Sequence, residues 1–304
     1  MTIQNSPKNV SIREVGPRDG LQNETTFIPT DDKIQWIDHL SNTGLNYIEV
    51  TSFVNPTWIP ALSDADYVAK HIKKNPDVTY AALVPNTKGL FRALESGIDE
   101  IAVFISASET HNKENINKTI SETEIVLSEV VKESISINKT VRGYISTVFG
   151  CPFEGNIEID QVIRLADSLF EMGINELSLG DTIGIANPVQ VKQVLEQLLK
   201  RYPAENIAMH FHNTRGTALA NALASLEMGI SKFDSSLGGL GGCPYAPGAS
   251  GNLATDDLNY MLTNMGIKTN IDPVKLNTAA LYIQDKLQKP LDSYSVKYYE
   301  SQHK

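Results

Sequence analysis

The sequence predicts an α/β fold, a closed (β/α)8 TIM barrel with an additional C-terminal helical segment. Three observations predict it. Short runs rich in Val, Ile, Tyr, Phe and Ser alternate with stretches of helical spacing at about 30 residues per unit, the period of a βα pair. Eight such runs occur, the number that closes a barrel. No G-x-G-x-x-G follows the first run, so the competing open, doubly wound sheet lacks its dinucleotide fingerprint.

The strand runs are VSIREV (10–15), YIEVTSF (47–53), TYAALVP (79–85), EIAVFIS (100–106), VRGYIST (141–147), ELSLG (176–180), NIAMHFH (206–212) and KFDSSL (232–237). Most are short and β-rich, as strands buried on both faces are. Between the first two, DDKIQWIDHLSNT (31–43) has acids in its first turn and apolar residues near helical spacing. Residues 161–172 and 188–201 read as helices in the same way, with Gly173 as a stop signal. Gly16, Gly20, Gly150, Gly180 and Gly184 mark turns after strands. One more helix is expected at about 273–289, followed by a polar tail. No Pro/Gly/Ser-rich linker divides the chain, so 1–304 reads as one domain, with the barrel at about 10–265 and the helix and tail at about 266–304.

Composition narrows the function. A chain of 304 residues, 41% of them hydrophobic, is long enough for a large core. A net charge of −10 and a pI near 5.1 argue against a nucleic-acid partner. They leave room for an anionic ligand at a locally positive site. No apolar run reaches the roughly 18 residues of a membrane span, and residues 1–9 carry no signal-peptide stretch. Two cysteines, Cys151 and Cys243, make no disulfide scaffold, which fits a reduced, cytoplasmic setting.

The chemistry collects at the carboxyl ends of the expected strands, where barrels carry their catalytic groups. GPRDGLQNE after the first strand brings together Arg18, Asp19, Gln22, Asn23 and Glu24. Strand two holds Glu49 in an apolar run, and a carboxylate there needs a partner, for which Arg18 is the candidate. On strand seven, His210 and His212 stand at i and i+2 and face the same side, while Phe211 faces the other. Two imidazoles on one face can grip a divalent ion. Asp19 and Asn252 follow strands one and eight, which close the barrel beside strand seven, so their oxygens can converge on the pair. This mixed nitrogen and oxygen set suits Mg²⁺ or Mn²⁺ and does not exclude Zn²⁺, Co²⁺ or Fe²⁺. A guanidinium beside such an ion would set two positive centres over a developing oxyanion. Cys243 lies in GGLGGCPYAPG, a loop that glycines make deformable, whereas Cys151 in FGCPFEG reads as structural. His39 and His71 on helical patterns, His111 in a polar loop and His303 in the tail read as non-ligands.

EVGPRDGLQNE (14–24), IEVTSFVNPTWIP (48–60), SLGDTIG (178–184), HFHNTRGTALAN (210–221) and SSLGGLGGCPYAPGASGNLATDDL (235–258) together resemble the 3-hydroxy-3-methylglutaryl-CoA lyase family. The resemblance runs from about Val10 to about Leu281. It implies metal-dependent retro-Claisen cleavage of 3-hydroxy-3-methylglutaryl-CoA to acetyl-CoA and acetoacetate, a step of leucine breakdown. It implies Asp19, His210, His212 and Asn252 as metal ligands and Arg18, Asp19, Glu49, His210 and Cys243 as the catalytic set, with Cys243 the proton-transferring loop thiol. Substrate contacts would come from Arg18, Gln22, Tyr144, Ser178 and Asp181. The implied partner is a small acyl-CoA, with no nucleic acid or membrane, and the implied assembly a homodimer. One departure is HNTRG at 212–216, where some relatives carry an acid in place of Asn213 and an aromatic in place of Arg215. The competing readings are an enzyme condensing acetyl-CoA with a 2-oxo acid, an aldolase acting on 4-hydroxy-2-oxo acids, and a non-catalytic binding barrel. The loop thiol favours the lyase, and the length disfavours condensing enzymes with a regulatory domain.

Overall fold

The computed structural model describes residues 6–242 and 251–302. Eight parallel strands close into a barrel: β1 (Ser11–Glu14), β2 (Tyr47–Ser52), β3 (Thr79–Leu83), β4 (Glu100–Ser106), β5 (Thr140–Ser146), β6 (Glu176–Asp181), β7 (Ile207–Phe211) and β8 (Lys232–Ser235). Closure is made by β8 pairing with β1, Ser11 opposite Lys232 through Glu14 opposite Ser235. Every run expected to be a strand is one. Gly180 is the exception among the turn glycines: it lies inside β6, because pairing continues to Asp181 opposite Phe211.

The helices that follow the strands are α1 (Thr30–Ser41), α2 (Ala65–His71), α3 (Thr87–Glu95), α4 (Glu109–Ile116), α5 (Ile120–Ser136), α6 (Ile159–Met172), α7 (Pro188–Leu198), α8 (Ala218–Glu227) and α9 (Thr255–Asn264). Local chemistry sets their ends. Thr119 and Glu122 form a reciprocal capping box at the start of α5. Asn187 caps α7, whose first residue is Pro188. Among the described residues, no helix is long and apolar enough to cross a membrane.

Two helices extend the barrel. α10 (Pro273–Leu287) packs on α1 and α9. The expected polar tail is in part a helix, α11 (Tyr294–Gln302), packed on α9. Its entry is fixed by backbone bonds: Asp292 N and Ser293 N donate to Gly238 O at 3.1 and 3.2 Å, and Tyr294 N and Ser295 N donate to the Asp257 carboxylate at 3.1 and 2.7 Å. Gly238 has φ of +72°, and a Cβ there would lie 2.4 Å from Leu291 Cδ1, so the contact requires glycine.

The apolar core is the layer between sheet and helices, where Trp36, Ile37 and Leu40 of α1 meet the outward residues of the strands. The barrel lumen is different. Leu83, Ala102 and Tyr144 form a small plug with Phe104. The rest is charged: Glu49, Arg142 and Asp234 are at most 1% exposed. Arg142 of β5 reaches Asp234 of β8, and Tyr144 of β5 reaches Glu49 of β2, across the barrel rather than along the sheet. Strands buried on both faces therefore carry apolar residues outward and ionic ones inward.

Candidate active site

β1 ends in a tight turn, Gly16–Gly20, in which Val15 O accepts from the amides of Arg18, Asp19 and Gly20 at 3.1, 2.7 and 3.3 Å. A Cβ on Gly16 would come within 2.5 Å of Glu14 Oε1, so only glycine lets the chain fold back over that carboxylate. The turn lifts Arg18 and Asp19 to the C-terminal mouth. Arg18 is 7% exposed and not a surface ion. Its Nε donates to Glu49 Oε1, as expected of this pair, and its Nη1 donates to Asp19 Oδ1 at 2.5 Å. Glu49 is in turn held by the Tyr144 hydroxyl, which donates to Oε2.

On β7 the two imidazoles meet as the i, i+2 spacing requires, with His210 Nε2 and His212 Nε2 3.2 Å apart. Asp19 Oδ2 stands 3.9 Å from each. Asn252 joins them through the backbone: Leu253 N donates to Phe211 O at 2.8 Å and Asn213 N to Gly251 O at 3.0 Å, which lays residues 251–253 antiparallel beside the end of β7. Asn252 Nδ2 then donates to Asp19 Oδ2 at 2.7 Å and to Leu240 O at 3.1 Å. Burial alone would raise the Asp19 carboxyl; the Arg18 guanidinium, the two imidazoles and Asn252 override it and hold the group well below the usual carboxylate range. Burial, helped by His210, pushes His212 down to about 4 and keeps its ring neutral.

These residues fit a divalent cation. Asp19, His210 and His212 present ligand atoms within 4.8 Å of one another. Asn252 Oδ1 is buried beside them and, among the described residues, has no hydrogen-bond partner, an unsatisfied acceptor of the kind a cation satisfies. A neutral imidazole at His212 and an ionised carboxylate at Asp19 are ligand forms a metal needs.

The other expected residues lie at different depths. Tyr144 and Ser178 face the lumen beneath the cluster, Ser178 Oγ donating to Asp234 Oδ2 at 2.8 Å. Asp181 alternates with these inward positions and turns to its own loop, accepting from Ile185 N and Ala186 N at 2.9 and 3.1 Å; burial raises it to about 6. Gln22 is half-buried just past the β1 turn and, among the described residues, bonds to no member of the cluster. Cys243 lies outside the described residues, as does His303. The chain leading to Cys243 is tied to the β1 turn, since Asn23 Nδ2 donates to Gly242 O at 2.7 Å. Cys151 is buried, its Sγ donating to Ser108 Oγ at 3.0 Å. His39 and His71 lie on α1 and α2. His111 is on α4 rather than in a loop, and is buried beside Ser106 Oγ. Asn213 and Arg215, the departures in HNTRG, brace loops: Asn213 Oδ1 accepts from Ala218 N, and Arg215 Nη1 donates to Ile183 O and Gly184 O.

Sequence reasoning missed the residues beneath the cluster. Asp234 Oδ2 also faces His210 Nδ1 at 3.1 Å, and its Oδ1 accepts from Arg142 Nη2 at 2.5 Å. Arg142 Nε donates to Glu176 Oε1 at 2.7 Å, and Glu176 is shared with Arg13 and Lys232 at the base of the barrel. The signal was present: Arg142-x-Tyr144, Glu176-x-Ser178 and Lys232-x-Asp234 repeat the alternation that singled out His210 and His212.

Comparison with known proteins follows the same lines. A family model described as HMGL-like matches residues 9–283. The chain is 61% identical over 295 residues to the hydroxymethylglutaryl-CoA lyase YngG of Bacillus subtilis (strain 168), covering 97% of this chain and 99% of that one. It superposes on a crystal structure of Bacillus subtilis HMG-CoA lyase with a TM-score of 0.96, at 61% identity and with 97% and 99% coverage. An HMG-CoA lyase from Acinetobacter baumannii, solved in complex with coenzyme A and 3-methylmalate, superposes with a TM-score of 0.92 at 42% identity, covering 95% of each chain.

Proposed function

The chain belongs to the HMGL-like family, and from that membership we propose that it is a carbon–carbon lyase cleaving 3-hydroxy-3-methylglutaryl-CoA to acetyl-CoA and acetoacetate by a retro-Claisen route, in leucine catabolism. The observation that carries this reading is the convergence of Arg18, Asp19, His210, His212 and Asn252 at the C-terminal mouth of the barrel. Asp19, His210, His212 and Asn252 would hold a divalent cation, Mg²⁺ or Mn²⁺, which supplies Lewis-acid polarisation of oxygen when bound.

The protein's own groups divide the remaining work. The tertiary hydroxyl of the substrate gives up its proton to Asp19 or His210, and the resulting alkoxide becomes the ketone of acetoacetate as the C2–C3 bond breaks. Asp19, held low by Arg18 and the imidazoles against its burial, is a weak base. The electron pair of the broken bond passes into a thioester enolate. Arg18 stabilises its oxygen: Glu49 and Asp19 fix Nε and Nη1, and among the described residues Nη2 has no partner, so the charge is aimed before the enolate forms. Glu49 and Tyr144 position Arg18 rather than touch the reacting atoms. The enolate carbon then takes a proton, from the Cys243 thiol in this reading, to give acetyl-CoA. The same reading makes the protein a cytoplasmic homodimer of one-domain chains, spanning 1–304, with an acyl-CoA as its partner.

Purified protein stripped of metal and then supplied with Mn²⁺ or Mg²⁺ should release acetyl-CoA and acetoacetate in equal amounts from 3-hydroxy-3-methylglutaryl-CoA. No cleavage with either ion, together with condensation of acetyl-CoA onto a 2-oxo acid, would replace the lyase by a condensing enzyme.

A further inference from the structure

His210 and His212 share a strand face but not an environment. Behind His210, on the neighbouring strand and directly opposite it in register, stands Asp234. Asp234 is 1% exposed and uses each oxygen twice or against a charge: Oδ1 accepts from Arg142 Nη2 at 2.5 Å, while Oδ2 accepts from Ser178 Oγ at 2.8 Å and faces His210 Nδ1 at 3.1 Å. An ionised carboxylate only accepts hydrogen bonds. Asp234 Oδ1 is ion-paired with the fully buried Arg142 guanidinium, so Asp234 is the carboxylate of a buried salt bridge. His210 Nδ1 must therefore carry a proton, and in the neutral ring that leaves Nε2 with a bare lone pair. That lone pair points at His212 Nε2, 3.2 Å away, and at Asp19 Oδ2, 3.9 Å away. Among the described residues His212 has no such support, because its buried Nδ1 has no hydrogen-bond partner there.

We propose that Asp234 is a positioning residue of this site: it locks His210 in the tautomer protonated on Nδ1 and so reserves Nε2 for a cation or a substrate proton. The inference rests on the metal-site reading above and deepens it. Either role of His210, ligand or base, needs Nε2 free, and a neutral imidazole left to itself can place its proton on either nitrogen. The lock depends on charge, not on shape. In Asp234→Asn the side chain offers one acceptor, and the fixed Arg142 guanidinium claims it. The amide NH2 then faces His210, where it can only donate, and turns the ring to the opposite tautomer. Carboxylates in this position behind ligating histidines change metal affinity by about 10- to 100-fold when altered.

The test uses the full chain, metal-free, with ¹⁵N-labelled histidine. Long-range ¹H–¹⁵N correlation reads the tautomer of each ring, with His210→Gln assigning the His210 signals. Wild type should show His210 protonated on Nδ1, and Asp234→Asn should show it protonated on Nε2. Mn²⁺ titrated by calorimetry should bind Asp234→Asn about 10- to 100-fold more weakly than wild type. A wild-type His210 protonated on Nε2 overturns the proposal, and that measurement needs no variant, so it decides the matter even where Asp234→Asn does not fold. Wild-type Mn²⁺ affinity in a folded Asp234→Asn overturns it too. Neither readout involves 3-hydroxy-3-methylglutaryl-CoA. A chain that passes both and fails to cleave that thioester loses the proposed reaction and keeps this role for Asp234.

Discussion

Arg18 and His212 sit within one cluster and should fail in different ways. In the proposed reaction Arg18 acts on charge that develops only as the carbon–carbon bond breaks, so Arg18→Gln should bind Mn²⁺ as wild type does and turn over roughly 10²–10³-fold more slowly. Near-normal turnover with weakened substrate binding would make Arg18 an anchor. His212→Ala removes a donor from the cluster and should lose Mn²⁺ affinity and activity together; calorimetry showing unchanged Mn²⁺ binding would strike it from the ligand set. Cys243→Ala should keep metal and fold and lose roughly 10²–10⁴ in turnover, the range for a missing general acid. Alkylation should inactivate the wild type, more slowly with substrate bound. Cys151→Ala should remain largely active and equally sensitive, since Cys151 is buried against Ser108. At this scale the sequence displayed the groups that gather at the mouth of the barrel, because motif spacing alone brings Arg18 to Asp19 and His210 to His212. It concealed Asp234, whose partners Arg142, Ser178 and His210 come from three other strands, two of them not neighbours of its own.

Elements were legible where pattern alone determines them and obscure where the backbone does the holding. The strands announced themselves by β-branched runs. α11 did not, because Val296 is its one fully buried side chain among the described residues and its entry is held by backbone bonds to Gly238 and the Asp257 carboxylate. A similar joint lies under the catalytic turn. Glu14, at the end of β1, accepts from Gly16 N and Leu237 N at 2.8 and 3.0 Å and from Thr255 Oγ1 at 2.6 Å, tying together the turn that carries Arg18, the segment after β8 and the start of α9. Burial, with Asp256 nearby, raises its carboxyl from the usual 4.5 to about 7 against the pull of those bonds. The folded protein therefore keeps this proton at pH values where the unfolded chain has released it. The stabilisation is full below pH 4.5 and lost as pH rises through 7, to an extent of about 3 kcal/mol at roughly 1.4 kcal/mol per pH unit. Glu14→Gln keeps an acceptor for the two amides and cannot ionise. Its melting temperature should gain on that of the wild type between pH 5 and 7.5, and a constant difference across that range would show that Glu14 does not titrate there.

For the molecule as a whole, a cation bound only by the folded barrel must stabilise it. At a concentration about 100 times its dissociation constant the gain is about 2.7 kcal/mol. Mn²⁺ should raise the melting temperature in a dose-dependent way, a chelator should reverse the rise, and His212→Ala should show neither; an unchanged wild-type melting curve would place the ion outside the folded cluster. The closed, eightfold architecture was readable from the period of the sequence. The character of its interior was not, because alternation tells which residues face inward and not which of them meet across the lumen. That interior also bears on descent. Arg142, Glu176 and Asp234 are ion-paired in a space that water scarcely enters, with the half-buried Arg13 and Lys232 closing on Glu176 from below, and deleting one member of a buried ion pair costs about 3–5 kcal/mol. Single changes at Arg142, Glu176 or Asp234 should therefore cost a large part of a domain's stability, while a matched pair of changes can pass. Lineages of this protein should inherit Arg142, Glu176 and Asp234 as a block, and where they diverge they should diverge by exchanging opposite charges together.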